Sequence, residues 1–107
     1  MDLEITPEQA KTLLASATPP LLLDVREPWE AATAEIAGAT LMPMAEVPAR
    51  AFKELDEEDP ILVFCHHGAR SLSVANWLRE KGFSKAQSIS GGIDAWSRLI
   101  DPHIPRY

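Results

Sequence analysis

Two short apolar segments constrain the fold of this chain more than any other feature of its sequence. Residues 21–25 are apolar except for Asp24, and residues 61–64 are apolar throughout. Both runs are too short for a typical helix, and neither alternates with polar residues. This pattern is typical of strands in a parallel sheet, whose two faces are both covered by helices. We therefore expect both segments to be buried strands of a parallel sheet.

Helical patterns alternate with these strands. Thr6, Pro7 and Gln9 form a capping-box sequence with proline in the first turn, which predicts a helix start. The other elements predicted from periodicity and turn residues are strands at residues 3–5, 40–42 and 86–89, and helices over residues 47–55 and 93–100. A further helix is predicted around the apolar stripe from Leu72 to Leu78. The alternation predicts an α/β fold in one domain over residues 1–107, with a mostly parallel sheet of about five strands and helices on both faces.

The last two predicted helices have apolar faces that indicate which side chains are buried. Leu72, Ala75 and Leu78 recur at helical spacing in a helix that Gly82 is expected to end. In the final helix we expect Trp96 to pack against the body of the domain, together with either Leu99 or Ile100.

The composition restricts the classes of partner. The chain has 107 residues with 16 acidic and 10 basic side chains, and its formal net charge is −6. No Lys/Arg cluster supplies the concentrated positive field that nucleic acids or anionic membranes require, so neither partner is expected. The N-terminus lacks a signal-peptide pattern and no apolar run is long enough to span a membrane, so the expected location is the cytoplasm. A small substrate or a protein partner is favoured.

The single cysteine, Cys65, excludes two ways of stabilising a small fold. It has no second cysteine for an internal disulfide, and one sulfur with three histidines is too poor a set for a structural zinc site. Cys65, His66 and His67 are adjacent in sequence, and neighbours rarely converge on one ion. No metal and no cofactor is therefore expected.

The segment from Cys65 to Ser71 has the features of an anion-binding loop. It follows the apolar strand at residues 61–64 and precedes a helix, so it lies at the end of the strand where open α/β sheets bind ligands. Unpaired N–H groups at the start of that helix favour an anion, most simply the thiolate of Cys65 or a charged sulfur bonded to it. A lone buried cysteine is often only a small apolar residue, but the presence of Gly68 and Arg70 favours a nucleophile.

The neighbours of Cys65 have chemical and structural interpretations. Arg70 carries a planar fork of donors suited to an oxyanion such as a sulfonate, and Gly68 permits the backbone to curl inward. His66 and His67 are either acid/base groups or polar loop residues. Ser71 either caps the helix or donates to the sulfur.

Several segments together resemble the rhodanese, or thiosulfate sulfurtransferase-like, family in its single-domain form. In chain order they are Leu22-Leu23-Asp24-Val25-Arg26-Glu27 with Trp29-Glu30, Ile36-Ala37-Gly38-Ala39, the Cys65 to Ser71 loop, Gly82-Phe83, and Gly91-Gly92-Ile93-Asp94-Ala95-Trp96. The order and spacing of these segments carry the resemblance, which covers nearly the whole chain. Many relatives have a histidine where this chain has Ala34-Glu35-Ile36, a difference that bears on substrate or partner contacts.

The resemblance implies a rhodanese-like fold and a sulfurtransferase activity. Cys65 would take a sulfane sulfur from thiosulfate or another small donor, hold it as a persulfide and pass it to a thiophilic acceptor such as cyanide or a thiol. The residues expected to bind the substrate are His66, His67, Gly68, Ala69, Arg70 and Ser71. Asp24 and Arg26 are expected to support the sheet end, and Trp96 to pack against the body of the domain.

Three other functions are compared with this one. Phosphatases of related fold have a longer loop between cysteine and arginine, whereas only four residues separate Cys65 from Arg70, which favours sulfur over a phosphoryl group. A protein sulfur relay, loaded by a partner such as a cysteine desulfurase, is a second alternative. The tail at residues 101–107 is similar to tails of rhodanese domains attached to sulfur-carrier activating enzymes. A non-catalytic redox or regulatory module is the third.

Overall fold

The sheet that the sequence predicts is present and entirely parallel. The computed structural model describes residues 1–107. Its strands are β1 (Glu4–Ile5), β2 (Leu21–Asp24), β3 (Thr40–Leu41), β4 (Ile61–Phe64) and β5 (Ala86–Ile89). They lie in the spatial order β1-β5-β4-β2-β3, and every neighbouring pair is parallel. The predicted α/β class is therefore confirmed.

The connections between strands are helical. The helices are α1 (Pro7–Leu14), α2 (Pro28–Thr33), α3 (Val47–Glu54), α4 (Ala69–Glu80) and α5 (Gly92–Leu99), and a 3-10 turn (Met44–Glu46) precedes α3. The predicted capping box of α1 is confirmed: the Thr6 hydroxyl accepts from the Gln9 N–H, and the Gln9 side chain accepts from the Thr6 N–H. Gly82 follows the end of α4 with φ +104°, as expected of a residue just beyond a helix end.

Helix α2 and the 3-10 turn were not predicted from the sequence. Helix α2 has only six residues, and its N-cap is Glu27. Glutamate is not among the preferred N-cap residues, so the usual start signal is weak. The Glu30 carboxylate nevertheless accepts the Glu27 N–H, which gives this short helix a capping contact.

Strand β4 lies in the middle of the sheet, between β5 and β2. In its register with β2, Ile61 lies opposite Leu21 and Phe64 lies opposite Asp24. All four β4 residues are buried, because neighbouring strands cover both edges and helices cover both faces. This position explains why the segment contains no polar side chain.

The side chains of the central strands alternate between two apolar layers, as the two-residue period of a strand requires. Ile61, Val63 and Cys65 belong to the layer that contains residues of α3 and α4. Leu62 and Phe64 belong to the opposite layer, which contains residues of α1 and α5. Helices therefore cover both faces of the sheet, as predicted.

The predicted face of α4 needs a small correction, and for α5 the structure decides between the two predicted alternatives. In α4, Ala75 and Leu78 are buried as expected, but Leu72 is partly exposed and Ser71 is buried in its place, because α4 turns Ser71 toward the sulfur of Cys65. After α5, Ile100 packs against the core together with the buried Trp96. Leu99 is 54% exposed, so Ile100 is the residue that covers the sheet.

No helix of this fold has the length and apolar character of a membrane span.

Candidate active site

Cys65 follows the last residue of β4 and is buried, with a relative exposure of 1%. Its Sγ accepts the backbone N–H of Gly68 at 3.1 Å and that of Ser71 at 3.3 Å. Both donors belong to the start of α4, where N–H groups lack helical partners. The sulfur therefore lies where backbone donors and the positive end of the helix dipole converge.

Gly68 is the N-cap of α4 and has a left-handed backbone, with φ +109°. A side chain is disfavoured at this φ, and a Cβ at this position would lie 3.2 Å from the backbone nitrogen of Gly91. The glycine therefore lets the loop close over the sulfur while it packs against the turn before α5. Ala69, the next residue, begins α4 and is exposed.

The N-terminus of α5 holds the loop through two backbone hydrogen bonds. The N–H of Ile93 donates to the carbonyl of Cys65 at 2.8 Å, and the N–H of Asp94 donates to the carbonyl of His66 at 3.1 Å. A Cβ on Gly92 would lie 2.4 Å from the His66 carbonyl oxygen, closer than any side chain allows. With these carbonyls bound to α5, the N–H groups of Gly68 and Ser71 face the sulfur.

Two serines complete the surroundings of the sulfur. The Cys65 thiol donates to Ser71 Oγ at 3.4 Å, and Ser71 Oγ lies 2.8 Å from Ser88 Oγ. Both serines are fully buried. Of the two roles considered for Ser71, the structure places the hydroxyl next to the sulfur, while the N-cap position belongs to Gly68. Ser88 lies on β5 and carries no local sequence signal for this contact.

Arg70 lies at the rim of the loop, and its guanidinium binds a carboxylate. Nη1 and Nη2 donate to the two oxygens of Glu30 at 2.7 and 2.9 Å. Glu30 also accepts the Tyr107 hydroxyl at 2.6 Å. The hydrogen bond from Arg70 lowers the pKa of Glu30 to about 2, with a further contribution from Tyr107, although burial acts in the opposite direction. Sequence analysis missed Glu30 as the partner of Arg70, because the two residues lie 40 positions apart.

Asp24 and Arg26 form a second ion pair, inside the fold at the end of β2. Arg26 Nε and Nη2 donate to the two carboxylate oxygens of Asp24 at 2.9 and 2.7 Å. Its remaining donors bind the carbonyls of Glu30 and Ala34 and the hydroxyl of Tyr107. The exposed fraction of the Arg26 side chain is 0%. The pair joins β2 to α2 and to the C-terminal tail.

His66 lies between two other rings at the mouth of the loop. Its ring is stacked on that of Tyr107, with centroids 3.9 Å apart, and on that of His67, with centroids 3.8 Å apart. Burial lowers the pKa of His66, and the neighbouring His67 acts in the same direction. His66 is therefore neutral at physiological pH, while His67 is exposed beside it.

The same histidines lie near Asp94, and each of the three residues has a potential metal ligand within 4.8 Å of the others. The geometry does not favour an ion. The carboxylate of Asp94 already binds Arg98 and Arg106. We assign no metal to this group.

The fold and this site define a class of protein: parallel α/β domains in which a cysteine follows a central strand and accepts backbone N–H groups from the start of the next helix. The family model described as Rhodanese-like domain matches residues 6–99. The chain is 39% identical over 92 residues to thiosulfate sulfurtransferase GlpE of Pseudomonas entomophila. The aligned region covers 86% of this chain and 82% of that protein. The chain belongs to the rhodanese-like domain family.

Other matched proteins differ in the share of their own length that this chain covers. The human single-domain sulfurtransferase TSTD1 has a solved structure that matches with a TM-score of 0.82 and 26% identity, over 92% of this chain and 98% of that one. Adenylyltransferase and sulfurtransferase MOCS3-1 of Zea mays is 37% identical over 96% of this chain but only 23% of its own length. Five of the matched curated relatives are much longer, and the chain spans 23 to 30% of their length.

Proposed function

We propose that this protein is a sulfurtransferase that carries sulfane sulfur as a persulfide on Cys65. The observation that supports this most strongly is the pair of backbone N–H groups, from Gly68 and Ser71, that donate to Sγ. They are positioned to stabilise the anionic sulfur that such a reaction needs before and after transfer. The relatives named as sulfurtransferases support the activity at the level of the family.

In the first half-reaction, the Cys65 thiolate attacks the outer sulfur of the donor. With thiosulfate, a new S–S bond forms on Cys65, the S–S bond of thiosulfate breaks, and the electron pair leaves with sulfite. The products are the Cys65 persulfide anion and sulfite, so charge is conserved. The loop formed by residues 66–71 would surround the transferred sulfur and the departing anion.

In the second half-reaction, a nucleophile removes the outer sulfur. Cyanide attacks it, the S–S bond on Cys65 breaks, and thiocyanate leaves while the Cys65 thiolate is restored. The chain has no other cysteine that could resolve the persulfide, so the acceptor must be external. Two separate half-reactions predict ping-pong kinetics.

Intact-mass analysis tests this proposal directly. We expect one added sulfur atom per chain after incubation with thiosulfate, complete removal of that sulfur by cyanide, and release of thiocyanate. The matched control is Cys65→Ser, which should gain no sulfur. A persistent adduct on that variant, or no cyanide-labile sulfur on the unchanged protein with any sulfane donor, would contradict the proposal.

A protein sulfur relay is a second candidate, supported by the likeness to MOCS3-1, which is named as a sulfurtransferase and covers 96% of this chain. In that function, the persulfide is loaded by a partner such as a cysteine desulfurase and delivered to a protein acceptor. Incubation with a cysteine desulfurase and cysteine should then load Cys65 faster than thiosulfate does. The same mass measurement separates the two candidates by donor. An unreactive Cys65 with both donors would favour a non-catalytic module.

A further inference from the structure

Glu30 is a buried carboxylate at the rim of the cysteine loop, and it is held in place by several groups. Its side chain is only 4% exposed. It accepts two hydrogen bonds from Arg70, one from the Tyr107 hydroxyl and one from the Glu27 N–H. A carboxylate with this many donors stays ionised and fixed, so the charge opposite Arg70 is a permanent part of the site.

Arg70 is less completely bound than its partner. A guanidinium has five N–H donors, and Arg70 uses one on each terminal nitrogen for Glu30. No other partner within the chain accepts from it, and 34% of its side chain is exposed. Arg70 can therefore still donate to a substrate group at the loop, but its positive charge is already balanced by Glu30.

This balance matters because candidate sulfur donors differ in charge. Thiosulfate is a dianion, whereas the persulfide of a thiol carries at most one negative charge on its sulfur. The chain as a whole has a net charge of −6, so a dianion is repelled unless a local cation attracts it. An Arg70 paired with Glu30 supplies hydrogen bonds but little net attraction.

We propose that Glu30 is a positioning residue that sets donor specificity: by neutralising Arg70 it disfavours dianionic thiosulfate and favours the persulfide of a thiol as the sulfur donor. This inference rests on the proposed sulfurtransferase function. With a persulfide donor, the Cys65 thiolate attacks the outer sulfur of R–S–S–H. The new S–S bond forms on Cys65, the donor S–S bond breaks, and the electron pair leaves with R–S⁻, so no oxidant or reductant is needed.

The variant Glu30→Gln tests this proposal with a minimal change of shape. The glutamine oxygen can still accept the Glu27 N–H, while the negative charge is removed. The rate of persulfide formation on Cys65 is followed by mass spectrometry with two donors, thiosulfate and the persulfide of N-acetylcysteine amide. We expect the ratio of kcat/KM for thiosulfate to that for the persulfide to rise by about tenfold or more, mainly through a lower KM for thiosulfate.

A double variant shows whether the effect passes through Arg70. In the variant that combines Glu30→Gln with Arg70→Gln, the gain in kcat/KM for thiosulfate should disappear. No guanidinium then remains whose positive charge could attract the dianion. A structural disturbance would instead lower kcat/KM for both donors in both variants. The proposal is overturned if Glu30→Gln leaves the donor ratio within twofold of the original, or if the gain persists without Arg70.

Salt dependence keeps the inference testable even if Glu30→Gln fails to fold. In the unchanged protein, kcat/KM for thiosulfate should not fall as ionic strength rises, because no uncompensated cation attracts the dianion. A steep fall would overturn the proposal. Failure of the underlying function gives a different result: neither donor then places sulfur on Cys65 of the unchanged protein.

Discussion

Two of the arginine–carboxylate pairs, Arg26–Asp24 and Arg70–Glu30, have similar geometry and different surroundings. Arg26 binds both oxygens of Asp24, and Arg70 binds both oxygens of Glu30. All five donors of Arg26 are used within the chain, and its side chain is inaccessible to solvent. Arg70 uses two donors and is one-third exposed. A fully bonded guanidinium can only support the fold, whereas a partly bonded one at a rim can also contact a ligand.

The two pairs are linked by one residue of the C-terminal tail. The Tyr107 hydroxyl accepts from Arg26 at 3.0 Å and donates to Glu30 at 2.6 Å. Burial raises the pKa of Tyr107 to about 12, with Glu30 acting in the same direction and Arg26 against it, so the hydroxyl keeps its proton at physiological pH. The pairs therefore differ in exposure but share a neutral bridging group.

The comparison predicts its largest effect for the loss of Arg26. Arg26→Met should destabilise the fold by about 3–5 kcal/mol, because it leaves the carboxylate of Asp24 buried without a partner. Arg26→Lys keeps the charge but not the fork of donors. Its free energy of unfolding should therefore lie between that of Arg26→Met and that of the original protein. Urea unfolding followed by tryptophan fluorescence measures both. A loss below about 1 kcal/mol would mean that the buried pair is not the structural one.

A smaller effect on stability, together with an effect on activity, is expected for Arg70→Gln. We expect a loss of about 1–3 kcal/mol, since Glu30 keeps its hydrogen bonds from Tyr107 and Glu27. The kcat/KM for thiosulfate should fall, because an uncompensated Glu30 then repels the dianion. Paired urea and sulfur-loading assays on the same preparation test both. If this variant lost as much stability as Arg26→Met, the two pairs would have the same role.

The exposed pair should also give a specific acid sensitivity. The pKa of Glu30 is about 2 in the folded protein and 4.5 as its ordinary value, and a depressed pKa means stability that is complete above the unfolded value. This contribution should disappear progressively as the pH falls from about 4.5 toward about 2. The free energy of unfolding of Glu30→Gln should vary less with pH in that window. Equal slopes for the two proteins would contradict the assignment.

The smallest effect is expected for the bridging hydroxyl. Tyr107→Phe keeps the ring that stacks on His66 and removes one hydrogen bond to each pair. A lost hydrogen bond typically costs about 0.5–1.5 kcal/mol. Because Arg26 and Glu30 both keep other partners, we expect a total loss of about 1 kcal/mol, which lowers the melting temperature by about 4–8 °C. Tyr107→Leu, which also removes the stacked ring, is the control and should lose more. An unchanged melting temperature in Tyr107→Phe would show that the hydroxyl contributes nothing.

Local sequence signals were sufficient for most of the fold. The capping box of α1 and the apolar run of β4 depend on residues close together in sequence, and both elements formed where predicted. Helix α2 was missed because it is short and begins at Glu27, a weak cap. Leu72 was expected in the core, but α4 is rotated so that Ser71 faces the sulfur instead.

The sequence by itself determined the parallel α/β architecture and singled out the loop from Cys65 to Ser71, since apolar runs, turn residues and helix starts are properties of neighbouring residues. Only the tertiary structure decided what surrounds the loop. It placed Ser88 beside Ser71, the N-terminus of α5 beneath the Cys65 carbonyl, and Glu30 opposite Arg70. These contacts join residues from different strands and helices. Their pairing follows from strand order and helix packing, which no local pattern encodes.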